Sequence, residues 1–121
     1  MTYALLLLSL AFAQPNPTAS DAWAEPSAGA IAVYATVNNP SMYDVYVVSA
    51  RSGAAAKTEL VNGDQPVTSI TVPAYGSAEL KPGATFVRLS ELKSELKAGD
   101  EVKLTLETDG GVSIEIAAVV K

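Results

Sequence analysis

The chain of 121 residues contains no cysteine and no histidine. The first absence removes disulfides, thiolate metal sites and cysteine nucleophiles. The second removes the commonest metal ligand and the commonest general base. Without an imidazole, no serine has a ready base, and Ser90-Glu91-Leu92-Lys93 matches a Ser-x-x-Lys spacing with no accompanying signature. These gaps argue against an enzyme. Basic residues are also scarce, with 8 Lys and Arg against 13 Asp and Glu and a net charge of −5. No basic stripe is present, so nucleic acid is not an expected partner. No apolar run approaches the roughly 20 residues that cross a bilayer, and no membrane span is expected in the mature chain.

What remains is an apolar content of 49%, arranged mostly with period two. A chain of this length is one domain with a core of its own. Residues 1–13 read as a signal peptide: Leu5 to Leu8, Leu10 and Phe12 are apolar, and Ala11-Phe12-Ala13 is a small-x-small cleavage pattern before Gln14. No Lys or Arg precedes that run. The expected product is a periplasmic or extracellular protein cleaved near Ala13-Gln14. Two prolines and small polar residues make 14–20 a flexible linker, leaving 21–121 as the folded domain.

From Asp21 onward the pattern is β. Ile31, Val33, Ala35 and Val37 alternate with Ala32, Tyr34, Thr36 and Asn38 before Asn39-Pro40-Ser41. Tyr43 to Val48 is apolar on both faces and reads as a central strand. Arg51-Ser52-Gly53 is a turn, and Ala56 to Leu60 leads to the hairpin signal Asn62-Gly63-Asp64. A strand over Val67 to Val72 comes next. Tyr75 to Leu89 reads as a short strand, a Pro82-Gly83 turn and a second strand. In that second strand Phe86 and Arg88 share one exposed face, opposite Val87 and Leu89. Leu89, Leu92 and Leu96 have helical spacing and predict a short helical turn ended by Gly99. The last hairpin pairs Val102, Leu104 and Leu106 with Val112, Ile114 and Ile116 around Asp109-Gly110-Gly111. Seven or eight short strands with regular turns predict an all-β antiparallel Greek-key sandwich of immunoglobulin-like layout.

Few residues carry obvious chemistry. Asn62-Gly63-Asp64 and Asp109-Gly110-Gly111 lack the spaced acids of a calcium loop and are explained as hairpin turns. Glu91, Glu95 and Asp100 read as solvated surface. Trp23, Tyr34, Tyr43 and Tyr46 form either an aromatic platform or packing, with Trp23 pinning the first strand to the sandwich. Met42 is the sole thioether beyond the leader, and soft-metal sites need several.

Two stretches together resemble the periplasmic copper chaperones of the PCu(A)C type. One runs Asp21-Ala22-Trp23-Ala24, Gly29-Ala30 and Ala32 to Pro40. The other runs from Gly76 through Glu79-Leu80-Lys81-Pro82-Gly83 and Leu96-Lys97-Ala98-Gly99-Asp100 to Leu106. The resemblance implies a cupredoxin-like sandwich that holds Cu(I) through two His and two Met and hands it to cytochrome oxidase or other acceptors. Matched residue by residue, Val61 stands where the first His would be. Phe86 and Arg88 stand where the second His and its Met would be. The intervening loop is shorter and contains no Met.

The leading expectation is therefore an exported, non-catalytic copper-chaperone-like domain with a degenerate metal site and no cofactor. Its partner is a protein, such as a copper-handling or membrane oxidase assembly factor. Phe86 and Arg88, with Met42, form the candidate contact surface. A simpler account has Phe86 tucked away and Arg88 paired with an acid. Two alternatives stand beside it: copper binding through Met42, carboxylates or the new N-terminal amine, and an unrelated cell-surface interaction module.

Overall fold

A computed structural model describes residues 16–27, 29–63 and 65–121. The expected signal peptide lies outside them. The described residues form ten strands and no helix: β1 Thr18–Ser27, β2 Ala30–Asn38, β3 Val45–Arg51, β4 Ala55–Asn62, β5 Gln65–Pro66, β6 Ile70–Val72, β7 Ser77–Leu80, β8 Thr85–Leu92, β9 Glu101–Thr108 and β10 Ser113–Val120. They join in one curled sheet ordered β5-β4-β8-β2-β1-β10-β9-β3-β6, with β7 also on β2. Curling brings β3 against β4, where the Thr58 hydroxyl donates to the Ala50 carbonyl. The all-β sandwich expectation holds, with one difference: β1 and β10 run parallel, Trp23 beside Val119.

Alternation builds the core. Ile31, Val33, Ala35 and Val37 of β2 meet Val87 and Leu89 of β8, Val102, Leu104 and Leu106 of β9, and Ile114 and Ile116 of β10 inside the curl. Alternate side chains of each strand lie on one face, so short strands suffice to line an interior.

Several expectations are corrected. The last three residues of the expected linker, Thr18 to Ser20, are strand, because they pair with Thr36 to Asn38 and Ala19 packs on the core. The strand expected over Tyr43–Val48 begins at Val45 and is not central. It is next to the sheet edge, and Tyr46 and Val48 are exposed. Val67 to Val72 yields only the three residues of β6. The helical turn over Leu89–Ala98 does not form. β8 continues to Leu92, and the remainder is an irregular connection in which Leu96 still covers the core. Three leucines at helical spacing are also compatible with a strand that runs into a loop, and Gly99 leaves too few residues to nucleate a helix.

Regular pairing breaks in two places. In β1, Ser20 pairs with Thr36 but Trp23 pairs with Tyr34, so one extra residue is bulged out at Asp21-Ala22, where Asp21 has φ 53°. An extra residue reverses which side chains face inward. Before it Ala19 packs on the core; after it Ala24 does, and Trp23 faces out. The second break is at Pro82-Gly83, which is not a reversal. β7 and β8 both run antiparallel to β2, Leu80 opposite Ala35 and Val87 opposite Val33. The chain loops out between them, closed by bonds from Lys81 N to the Thr85 carbonyl and from Ala84 N to the Lys81 carbonyl (2.9 and 3.1 Å).

Candidate functional site

The outer face of β1, β2, β8 and β4 carries a second, smaller cluster: Ala32, Tyr34, Val61 and Phe86, with Trp23 packed against it. Register dictates its layout. Val61 is directly opposite Phe86, and Trp23 directly opposite Tyr34. One row therefore reads Trp23, Tyr34, Phe86, Val61 across four strands. Ring centroids are 4.5 Å apart for Trp23–Tyr34 and 5.7 Å for Tyr34–Phe86, both tilted. These spacings suit aromatic pairs. The neighbouring row reads Glu25, Ala32, Arg88, Glu59, each paired with the next.

Arg88 lies over the Phe86 ring at 5.7 Å, and Lys121 over the Trp23 ring at 4.5 Å. The small side chain of Ala32 leaves room beside Arg88, which stands between Glu59 and Glu25. Among the described residues no carboxylate forms an ion pair with Arg88, and Glu59 is engaged with Lys57 at 3.6 Å. Tyr34 has its phenol pKa raised, chiefly by burial and further by the Glu25 carboxylate.

The structure brings together three of the four residues that the sequence singles out. Val61, Phe86 and Arg88 are neighbours, as the strand reading requires. The exposure of Phe86 is corrected: it is 9% exposed and Val61 0%, because Tyr34 and Trp23 cover the same face. Phe86 packs beside Tyr34 and Val61, and Trp23, turned outward by the bulge, packs against the same cluster. Met42 does not join them. It sits in the loop after β2, and Tyr34 to Asn38 alone spans about 13 Å of strand. The proposed four-membered aromatic group likewise divides. Trp23 and Tyr34 are in the outer cluster, whereas Tyr43 and Tyr46 are exposed elsewhere.

Among the described residues no group of three His, Cys, Asp or Glu side chains is placed to hold a metal ion. Asp109-Gly110-Gly111 is the β9–β10 hairpin loop, closed by Thr108 through its backbone and hydroxyl to Val112. Asn62 pairs with Gln65 to close the β4–β5 hairpin, with Gly63 at φ 65°; Asp64 lies outside the described residues. Asp100 accepts a bond from Lys97 N at 2.8 Å, and Glu91 and Glu95 are exposed.

Sequence reasoning missed a second organised feature, the loop at the far end of β2. Asn39 is 1% exposed; its amide donates to the carbonyls of Tyr43 and Val72 (2.7 and 3.1 Å), and its oxygen accepts from the Ser41 backbone and hydroxyl (3.1 and 2.7 Å). The Asn39-Pro40-Ser41 run that marks a strand end carries the signal, since asparagine side chains close turns of this kind.

Comparison with known proteins agrees with this architecture. A family profile described as "Putative lipoprotein LpqE-like" matches residues 11–120. A protein of Leifsonia xyli subsp. xyli, "Putative lipoprotein Lxx21020", is 30% identical over 112 residues, covering 84% of this chain and 68% of its own. The Cu(I) form of DR1885 from Deinococcus radiodurans superimposes with TM-score 0.70 at 30% identity, over 89% of this chain and 78% of that one. The copper-bound PCuAC domain of PmoF2 gives TM-score 0.77 at 18% identity, over 91% and 96%. The expectation of an unrelated surface module is thereby overturned. The profile match over residues 11–120 and the 30% identical relative place this chain in the LpqE-like family, on the fold of PCuAC domains.

Proposed function

We propose that this chain is an exported, non-catalytic binding or accessory protein of PCuAC type whose copper position has been filled by apolar side chains. The observation that carries the reading is the Val61–Phe86 pair, buried on the outer face, with Arg88 over the ring. In the copper chaperones that the chain resembles, these three positions would carry His, His and Met. Valine and phenylalanine offer no lone pair to a metal, and a guanidinium is a fixed cation that opposes a bound one. On this reading the patch contacts a protein partner of the copper-handling or oxidase-assembly kind. Arg88 and the part-exposed Trp23 present the surface, and Phe86 supports it from beneath. The lipoprotein descriptions of the family and the apolar leader support export to the cell envelope, with cleavage near Ala13-Gln14.

The test is an anaerobic Cu(I) competition titration of the purified chain against a chromogenic chelator. The chelator is expected to keep its copper. Removal of one equivalent by the protein would overturn the vacated-site reading and direct attention to Met42 and the carboxylates.

A further inference from the structure

The loop end that carries Asn39 also presents three large side chains to solvent: Met42, Tyr43 and Tyr75. Tyr75 is tied to this loop by its backbone N–H, which donates to the Ser41 carbonyl at 3.0 Å. The fold gives Tyr75 no reason to be a tyrosine. Its side chain is 73% exposed, and its backbone has φ 56°, a left-handed conformation that bulky residues adopt only under strain. Strain held without compensating burial points to a use outside this chain.

Two carboxylates flank the same end. Asp44 accepts from Ala74 N at 2.9 Å and Asp109 from Tyr46 N at 3.4 Å, each through Oδ1. Neither enters an ion pair among the described residues, and the segments 39–46, 72–76 and 108–112 contain no Lys or Arg. Tyr43, Asp44 and Asp109 line one cavity of about 260 Å³, below the size of ordinary small-molecule sites and suited to a single inserted side chain.

We propose that this end of the domain is a docking surface for a basic protein segment, which inserts a lysine or arginine between Asp44 and Asp109 and lays it against Tyr43. Charge complementarity selects that occupant: an acidic chain presents carboxylate oxygens and π faces here on segments that carry no Lys or Arg. The Asn39 bonds hold the loop in place beforehand, so little ordering is left for binding to do. The surface is separate from the Phe86–Arg88 patch and does not depend on how copper is handled.

The experiment is an amide-resolved NMR titration of the full chain with acetyl-Ala-Arg-Ala-Arg-Ala-amide, with the Glu-for-Arg peptide and phosphatidylcholine vesicles as comparisons. Saturable shifts are expected at residues 42–44, 75 and 109–111 for the arginine peptide alone. Asp44→Asn and Asp109→Asn keep Oδ1 as acceptor and so keep the loops, and each is expected to weaken binding about tenfold. Tyr75→Gly is expected to weaken binding while leaving the unfolding midpoint unchanged or higher, because glycine relieves the strained φ. Shifts scattered over all acidic residues, or insensitivity to both Asn variants, would overturn the proposal. So would engagement of this end by vesicles in preference to the peptide. A lowered midpoint for Tyr75→Gly would make Tyr75 structural and remove it from the surface.

Discussion

Val61 and Phe86 face one another across the β4–β8 ladder, and both are closed off from solvent on the side of the sheet opposite the main core. A strand face that would ordinarily be wet has been given a core of its own. Phe86→Ala should therefore destabilise by about 3–5 kcal/mol, as for an interior aromatic. Arg88→Ala removes only a part-exposed cation over a ring and should cost under about 1 kcal/mol. Urea unfolding of the two variants checks the contrast; equal losses would mean that Arg88 is as much a structural element as the ring beneath it.

The same pairing makes the site restorable. Val61→His with Phe86→His and Arg88→Met puts nitrogen and sulfur donors on adjacent positions of β4 and β8. The combined variant should gain Cu(I) affinity in the anaerobic competition assay, with stability lowered by about 1–3 kcal/mol for each buried imidazole. A folded variant without copper affinity would show that the shorter loop between the two strands, and not only the side chains, has diverged.

Asn39 satisfies two carbonyls and two donors from one buried side chain. Asn39→Ala takes this partner from the Val72 carbonyl and the Ser41 backbone N–H, while the Tyr43 carbonyl keeps the Ser41 hydroxyl at 3.1 Å, and should cost about 2–4 kcal/mol. Hydrogen exchange at Ser41, Tyr43 and Tyr75 should rise more than at the β9–β10 hairpin. A uniform rise would assign Asn39 to global stability alone.

Tyr34 gives an alkaline signature. Its folded-state pKa lies above the ordinary 10.0, so the folded chain holds the phenol proton more tightly than the unfolded chain does. The resulting stability is complete below pH 10.0 and is lost as pH rises from there through the folded-state value. Tyr34→Phe should flatten that alkaline decline, and Glu25→Gln should make it slightly shallower by lowering the folded-state pKa toward the ordinary one. Unfolding midpoints measured from about pH 8 upward decide the matter.

The alternation of β9 and of the start of β10 is legible because inward Val102, Leu104, Leu106, Ile114 and Ile116 alternate with charged or hydroxyl residues, and that of β2 because a row of aliphatic residues shares one face. The neighbourhood of Val61, Phe86 and Arg88 emerges from the same alternation together with the family resemblance. Burial of Phe86 is not legible. The cluster that encloses it includes Trp23, whose outward turn depends on one bulged residue whose neighbours, Ser20-Asp21-Ala22, carry no glycine to mark it. The position of β3 is hidden because Tyr46 and Val48 are apolar yet exposed. The apparent helix fails because Leu89 and Leu92 are drawn into β8 by its long-range pairing with Thr58 and Ala55 of β4, which leaves Leu96 in the connection. Tyr75 reads in the sequence only as the start of a strand, since positive φ at a tyrosine has no signature in composition.

The parallel contact of Trp23 with Val119 has a kinetic corollary. A ladder between the first and last strands is formed from residues 96 positions apart in the chain, so its closure bears nearly the largest loop entropy the molecule can present. Until β10 has emerged, β1 has β2 alone to lean on, and one margin of the sheet stays open. A protein delivered N-terminus first through a pore would thus remain unlocked until its final strand arrives. The same arithmetic makes removal of Val119 to Lys121 a way of leaving the two ends of the polypeptide unjoined while the β9–β10 ladder keeps its pairs from Ser113–Glu107 to Ala118–Val102.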